Sequence, residues 1–174
     1  MATMILLPDA TGAAASEWVN VGDAAHHLCL DDDNAATSYS KCSTDARSMT
    51  IEYADPSVAE ADIASIDSVR FLSSGKAHHR SSSSLVAISF EAPTAGFSET
   101  VSYDAHRTNF ETINGTARTT SDGSSAWTYS NLEDLEMLCT KNATIEVYLS
   151  YLALEVTYTG AAVTDNSIFF GCNF

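Results

Sequence analysis

AWTYSNLEDLEMLCTKNATIEVYLSYLALEVTY, residues Ala126–Tyr158, is the stretch on which the fold turns. Its first part predicts a short helix over residues 130–137. Ser130 followed by Glu133 forms a capping box, in which the hydroxyl accepts from one backbone N–H and the carboxylate reaches back to another. Leu132 and Leu135 fall on one helical face, Cys139 lies just beyond, and Lys141–Ala143 reads as a polar turn. The second part predicts a long strand with two phases. Ile145, Val147, Leu149 and Tyr151 share one face; then Leu152, Leu154, Val156 and Tyr158 share one. These sets differ by an odd number of residues. A β-bulge near Tyr151–Leu152 would reconcile them, as would a strand buried on both faces, where alternation need not hold.

Outward from that stretch the chain keeps the same character. Thr3–Leu7 is extended and Trp18, Val19 and Val21 form an apolar patch. Ser48–Ala54 alternates with Met49, Ile51 and Tyr53 on one side, and Val58–Asp62 reads as a helical turn. Ile63–Ser73 ends in a strand, with a turn predicted at Ser74-Gly75-Lys76. Leu85–Glu91, Phe97–Tyr103 and Thr108–Ile113 are further strands, and Asn114-Gly115 is the dipeptide of a tight hairpin. Roughly eight short strands with one brief helix indicate an all-β antiparallel sandwich. The predicted core is Ile51, Val69, Phe71, Ile88, Phe90, Leu132, Leu135, Val147, Leu149, Leu154 and Val156.

The order Trp127-Thr128, short helix with Leu132 and Leu135, polar turn, then Val147, Leu149, Leu152, Leu154, Val156 and Tyr158 resembles the end of a jelly-roll domain found among virion proteins of tailed phages. ILLPDATG at Ile5–Gly12 and DDDNAATSY at Asp31–Tyr39, leading into SMTIEY, agree with it. The likeness covers most of residues 3–160 and contains no catalytic signature. It implies a two-sheet jelly roll in residues 16–160, an N-terminal strand or arm in residues 1–15, and a tail in residues 161–174.

Eight basic against 23 acidic residues give a net charge of −15 and a pI near 4.3. With no cationic stripe to neutralise phosphates, neither nucleic acid nor an anionic membrane is an expected partner. No run reaches the roughly 18 apolar residues of a membrane span, and Met4–Leu7 lacks the flanks of a signal peptide. Assembly in a host cytoplasm follows as the expectation. Cys29, Cys42, Cys139 and Cys172 have wide, unequal spacings that suit free thiols; a Cys29–Cys42 bridge is the alternative.

Chemistry is sparse. His26, His27, Asp31, Asp32 and Asp33, with His78 and His79 at a distance, are the available metal ligands, but DDDN lacks the D-x-D-x-D-G rhythm of a calcium loop. Neighbouring histidines on a strand would also face opposite ways. No metal and no cofactor are expected. Glu133, Asp134 and Glu136 could supply paired carboxylates, yet acidic residues in a first helical turn are explained by the helix dipole. With no G-x-S-x-G and only serine-rich loops, no enzyme activity is expected.

Two non-enzymatic functions fit. The resemblance favours a structural virion protein, a capsid decoration or cement subunit whose apolar ends clasp a neighbour or the major capsid protein. The alternative is a tail-associated module that recognises host glycan, with Trp18, Trp127, Tyr39 and Tyr129 as stacking platforms. For the first, the contact residues are Met4, Ile5, Leu6, Leu7, Ile168, Phe169, Phe170 and Phe174. Burying each such aromatic contributes about 1.5–3 kcal/mol, so three in the last six residues are expected to find a partner. Gly160-Ala161-Ala162 is the joint, and a homo-oligomer, a trimer first, is the expected assembly.

Overall fold

The computed structural model describes residues 1–12, 18–32, 37–44, 46–78, 85–92, 96–104, 109–142 and 145–162. Eleven strands lie among them: β1 (Ala2–Leu6), β2 (Pro8–Thr11), β3 (Trp18–Val21), β4 (Tyr39–Cys42), β5 (Arg47–Tyr53), β6 (Ile63–His78), β7 (Leu85–Ala92), β8 (Phe97–Asp104), β9 (Glu111–Asn114), β10 (Glu136–Lys141) and β11 (Glu146–Gly160). One short helix, α1 (Tyr129–Glu133), precedes β10, and 3-10 turns occupy His27–Cys29 and Glu60–Asp62.

The pairing is that of a rolled-up hairpin. β4 pairs with β11, β5 with β10, β6 with β9 and β7 with β8, all antiparallel. Alternate pairs fall into opposite sheets, giving the order β4-β11-β6-β9 in one and β5-β10-β7-β8 in the other. Four nested pairs distributed this way make a jelly roll. β3 extends the first sheet beside β4, and β2 extends the second beside β5. β1 pairs with β11 at Leu154–Tyr158, beyond the end of β4, so residues 2–11 are strands of the domain. The gap between β4 and β1 is closed by a turn, where the Leu152 N–H donates to the Leu30 carbonyl.

All eleven residues of the predicted core are at most 1% exposed. They interleave between the sheets, where Phe71 and Phe90 meet with ring centroids 4.4 Å apart. A polar chain crosses the same layer: the Ser73 hydroxyl lies 2.7 Å from the Tyr103 hydroxyl and donates to the Ile113 carbonyl. Fully paired, such a network fixes one packing arrangement instead of carrying a desolvation penalty.

The bulge is present, one residue before its predicted place. Against β6, Leu149 pairs with Gly75 and Tyr151 with Ser74, which leaves Ser150 as the extra residue. Val147 and Leu149 before it, and Leu152, Leu154 and Val156 after it, are all buried.

Elsewhere the structure corrects the expectations. The helix is shorter and its cap lies two residues upstream: the Thr128 hydroxyl accepts from the Asn131 N–H, and the Asn131 side chain accepts from the Thr128 N–H. Residues 136–141, expected as helix end and turn, form β10, with Met137, Cys139 and Lys141 buried at period two between β5 and β7. Ser74-Gly75-Lys76 is not a turn. It lies inside β6, which follows β11 for its whole length. A Cβ on Gly75 would stand 2.8 Å from Leu149 and 2.9 Å from the Tyr103 ring, so this glycine permits close packing. Gly115 does likewise: its N–H donates to the Phe71 carbonyl, and a Cβ there would meet the Phe71 ring at 2.5 Å. The chain continues beside β6 through the Val69–Arg118 bridge, without a hairpin at Asn114-Gly115. Cys29, Cys42 and Cys139 are buried thiols, and Cys29 and Cys42 form no bridge. Cys172 lies outside the described residues.

Candidate interaction surface

Strand alternation divides the predicted N-terminal contact residues. Met4 and Leu6 turn inward, at 6% and 2% exposure, with Leu6 level with Leu154 in the core. Ile5 and Leu7 turn outward, at 43% and 40%. Two further apolar side chains are exposed, Val19 at 53% and Leu28 at 42%. Ile5 stands level with Glu155, and Val19 is level with Lys41 and through it with Tyr148. Both therefore project from the outer face of the six-stranded sheet. Val19 sat in a recognised apolar patch, but its direction was hidden: only the pairing of β3 with β4 sends Trp18 inward and Val19 out. Ile168, Phe169, Phe170 and Phe174 lie outside the described residues.

Beside Ile5 and Val19 that outer face is charged and aromatic. Arg70 Nε donates to Glu155 Oε1 at 2.7 Å, and Lys41 Nζ lies 3.6 Å from Glu146 Oε1. Lys76 Nζ stands 4.6 Å from the Phe110 ring centre and 5.0 Å from that of Tyr148, while Tyr39 packs edge-on against Tyr148. Burial and the Glu146 carboxylate, which accepts from the Tyr148 hydroxyl, together hold that phenol above its ordinary range. These cations are thus matched by carboxylates or ring faces.

Of the four aromatics weighed as glycan platforms, the two indoles are in the interior. Trp18 and Trp127 are each 5% exposed, and Trp127 Nε1 donates to the Arg118 carbonyl. The Tyr129 hydroxyl donates to the Val58 carbonyl. Tyr39 belongs to the cluster just described.

The weighed metal ligands are placed as follows. His26 opens a 3-10 turn, not a strand; its Nδ1 lies 3.0 Å from the Ser40 hydroxyl in a buried contact. Burial, aided by His27, pushes its pKa down. His27 Nδ1 is 3.2 Å from the Thr11 hydroxyl. Burial and then Asp32 raise Asp31. His78 closes β6, level with Glu146. Asp33 and His79 are outside the described residues. Among the described residues no three ligating side chains converge.

Two clefts are notable. One, of about 300 Å³, is lined by Glu52, Tyr53, Glu133, Asp134, Leu135 and Glu136. It gathers the three carboxylates considered for acid–base work and adds Glu52, which faces Glu136 directly across β5 and β10. Like charges so placed repel, and among the described residues that line the cleft none is cationic. The other, of about 250 Å³, lies between the start of β6 and the approach to α1. Glu60, Ile63, Ala64, Ser65, Ile66, Trp127, Thr128 and Tyr129 line it. Sequence reading missed this cleft because its walls come from two segments some 60 residues apart.

Among the described residues no helix is long and apolar enough to cross a membrane. A scan of the chain against protein-family models finds no match, and a search of curated proteins finds no relative.

Proposed function

We propose that this chain is a non-enzymatic structural protein of a tailed-phage virion, a capsid decoration subunit that works by contact and assembles as a homo-oligomer, with a trimer favoured. The observation that carries this reading is the location of apolar surface. Among the described residues, every large apolar side chain left exposed, Met1, Ile5, Leu7, Val19 and Leu28, falls in the first 28 residues. A jelly roll with an otherwise polar, acidic exterior, whose exposed apolar side chains are confined to the N-terminal strands and the turn after them, suits a subunit that seats through those elements and turns the rest to solvent. The aromatic segment beyond Ala162 adds a second apolar element, which could order against a neighbouring subunit or the shell.

The glycan-recognition alternative is weakened by the burial of Trp18 and Trp127, which leaves it without an exposed indole. Copy number tests the proposal. Densitometry of stained gels of purified virions should find the chain in hundreds of copies per particle. A handful of copies would move it to the tail, and absence from the particle would end the virion reading. An Ile5→Asp, Val19→Asp variant should fold and lose attachment to particles; undiminished attachment would show that these side chains are not the contact.

A further inference from the structure

The cleft beside the start of β6 lies where the described chain ends. Gly160 is level with Ile63, a wall residue, and the Ala161 N–H donates 2.8 Å to the carbonyl of Asp62, one residue before it. Ile63, Ile66, Trp127 and Tyr129 give the cleft apolar and aromatic walls, with Glu60, Ser65 and Thr128 as polar lining. Its aromatic walls are fixed in advance, because the Trp127 N–H and the Tyr129 hydroxyl are both tied to backbone carbonyls. A preformed cleft of about 250 Å³ with this lining accepts a flat apolar group.

The sequence just past the joint supplies such groups. Ile168, Phe169 and Phe170 come six to eight residues beyond Ala162, and an extended stretch of that length reaches about 20–28 Å. That suffices to turn at the exposed Gly160–Ala162 joint and come back to the cleft. It falls short of Val19, which stands level with Tyr148, about 40 Å back along β11. Tethering also gives the segment a high effective concentration at a neighbouring site.

We propose that this cleft seats an aromatic side chain of residues 163–174 of the same chain, Phe169 or Phe170, in the isolated subunit. The proposal does not depend on the virion assignment. It identifies where the tail is held before any partner takes it.

The full-length chain labelled with 5-fluorotryptophan provides the test, because Trp127 lines the cleft while Trp18 lies elsewhere in the core. Fluorine NMR spectra are compared for the unaltered chain and for Phe169→Ala, Phe170→Ala and Phe174→Ala variants, each over a range of dilutions. The proposal requires the Trp127 resonance to shift in the Phe169→Ala or Phe170→Ala variant, with Trp18 unmoved and the shift unchanged on dilution. An unmoved Trp127 in both variants overturns it. A shift lost on dilution overturns it too, assigning the cleft to the tail of a second copy. Movement of Trp18 together with Trp127 overturns it by showing that the tail is part of the sandwich core. Virion copy number is unaffected by any of these results, so the two proposals fail separately.

Discussion

Deleting Ser150 should do little harm, whereas deleting Ala153, three residues later, should be costly. Both deletions shorten β11 by one residue, but they leave different side chains pointing inward. Without Ser150, Leu149 and Tyr151 become neighbours opposite Gly75 and Ser74, already their partners. Leu152, Leu154 and Val156 keep their inward faces. The losses include the hydrogen bond from the Ser150 hydroxyl to the Ser74 carbonyl, 3.5 Å long, and some adjustment where Leu30 meets Leu152. Together these should cost no more than about 2 kcal/mol, since one such bond is worth roughly 0.5–1.5 kcal/mol net.

Without Ala153, regular alternation between Leu149 and Leu154 turns Tyr151 inward and Leu152 outward. Exposing Leu152, now fully buried, costs about 1.5–3 kcal/mol. Forcing a tyrosine into the packed interior adds roughly 1–3 kcal/mol. The escape route keeps the bulge but turns Leu154 and Val156 outward, at about 3–6 kcal/mol by the same area rule. Either way the loss is a large part of a typical domain's stability. Equilibrium urea unfolding measures it as a shift in midpoint, provided the slope is preserved. Equal losses for the two deletions would refute the idea that one inserted residue sets the phase of the strand.

Leu154 is fully buried in a row with Leu6 and Phe71, so Leu154→Ala should destabilise by roughly 2–5 kcal/mol in the same assay, and a loss near zero would mean the register is wrong. Gly75→Ala should cost about 1–3 kcal/mol, because its Cβ must displace Leu149 and a Tyr103 ring anchored through Ser73; a neutral result would deny the close approach. His26 has a folded-state pKa lowered by burial, so in that window the unfolded chain binds more protons. Stability should therefore be intact above the unfolded value near 6.5 and fall as pH drops through it, by at most about 1.4 kcal/mol per pH unit. Thermal melts of the unaltered chain and a His26→Gln variant between pH 7.5 and 5.5 check this, the variant losing that part of the slope; identical slopes would exclude His26 as its source.

Alternation of side chains was enough to read the core and the phase change in β11. A side chain's face depends only on its parity along the strand, and Ile51, Phe71, Ile88 and Leu154 sit in clean alternating runs. What each strand pairs with is not a local property, and this is where the reading failed. Gly75 and Gly115 looked like turn residues because glycine tolerates turns. Their use here is to let Leu149, Tyr103 and Phe71 come close, and those neighbours are brought in by β11, β8 and β6. Residues 136–141 carried too short an apolar run to separate a helix from a strand. Once β5 pairs with residues 136–141 and β7 with residues 138–141, the extended form satisfies most backbone groups there. The cap moved for a similar reason: Ser130 and Glu133 have the right spacing, but the chain enters the helix at Thr128, where Asn131 completes the box. The sharpest case is Met4–Leu7, four apolar residues whose hydropathy gives no reason to separate them. Pairing with β11 turns Met4 and Leu6 into core and leaves Ile5 outside; Leu7, at the crossing to the other sheet, also stays exposed. Which apolar residues remain for a partner is therefore fixed by tertiary pairing alone.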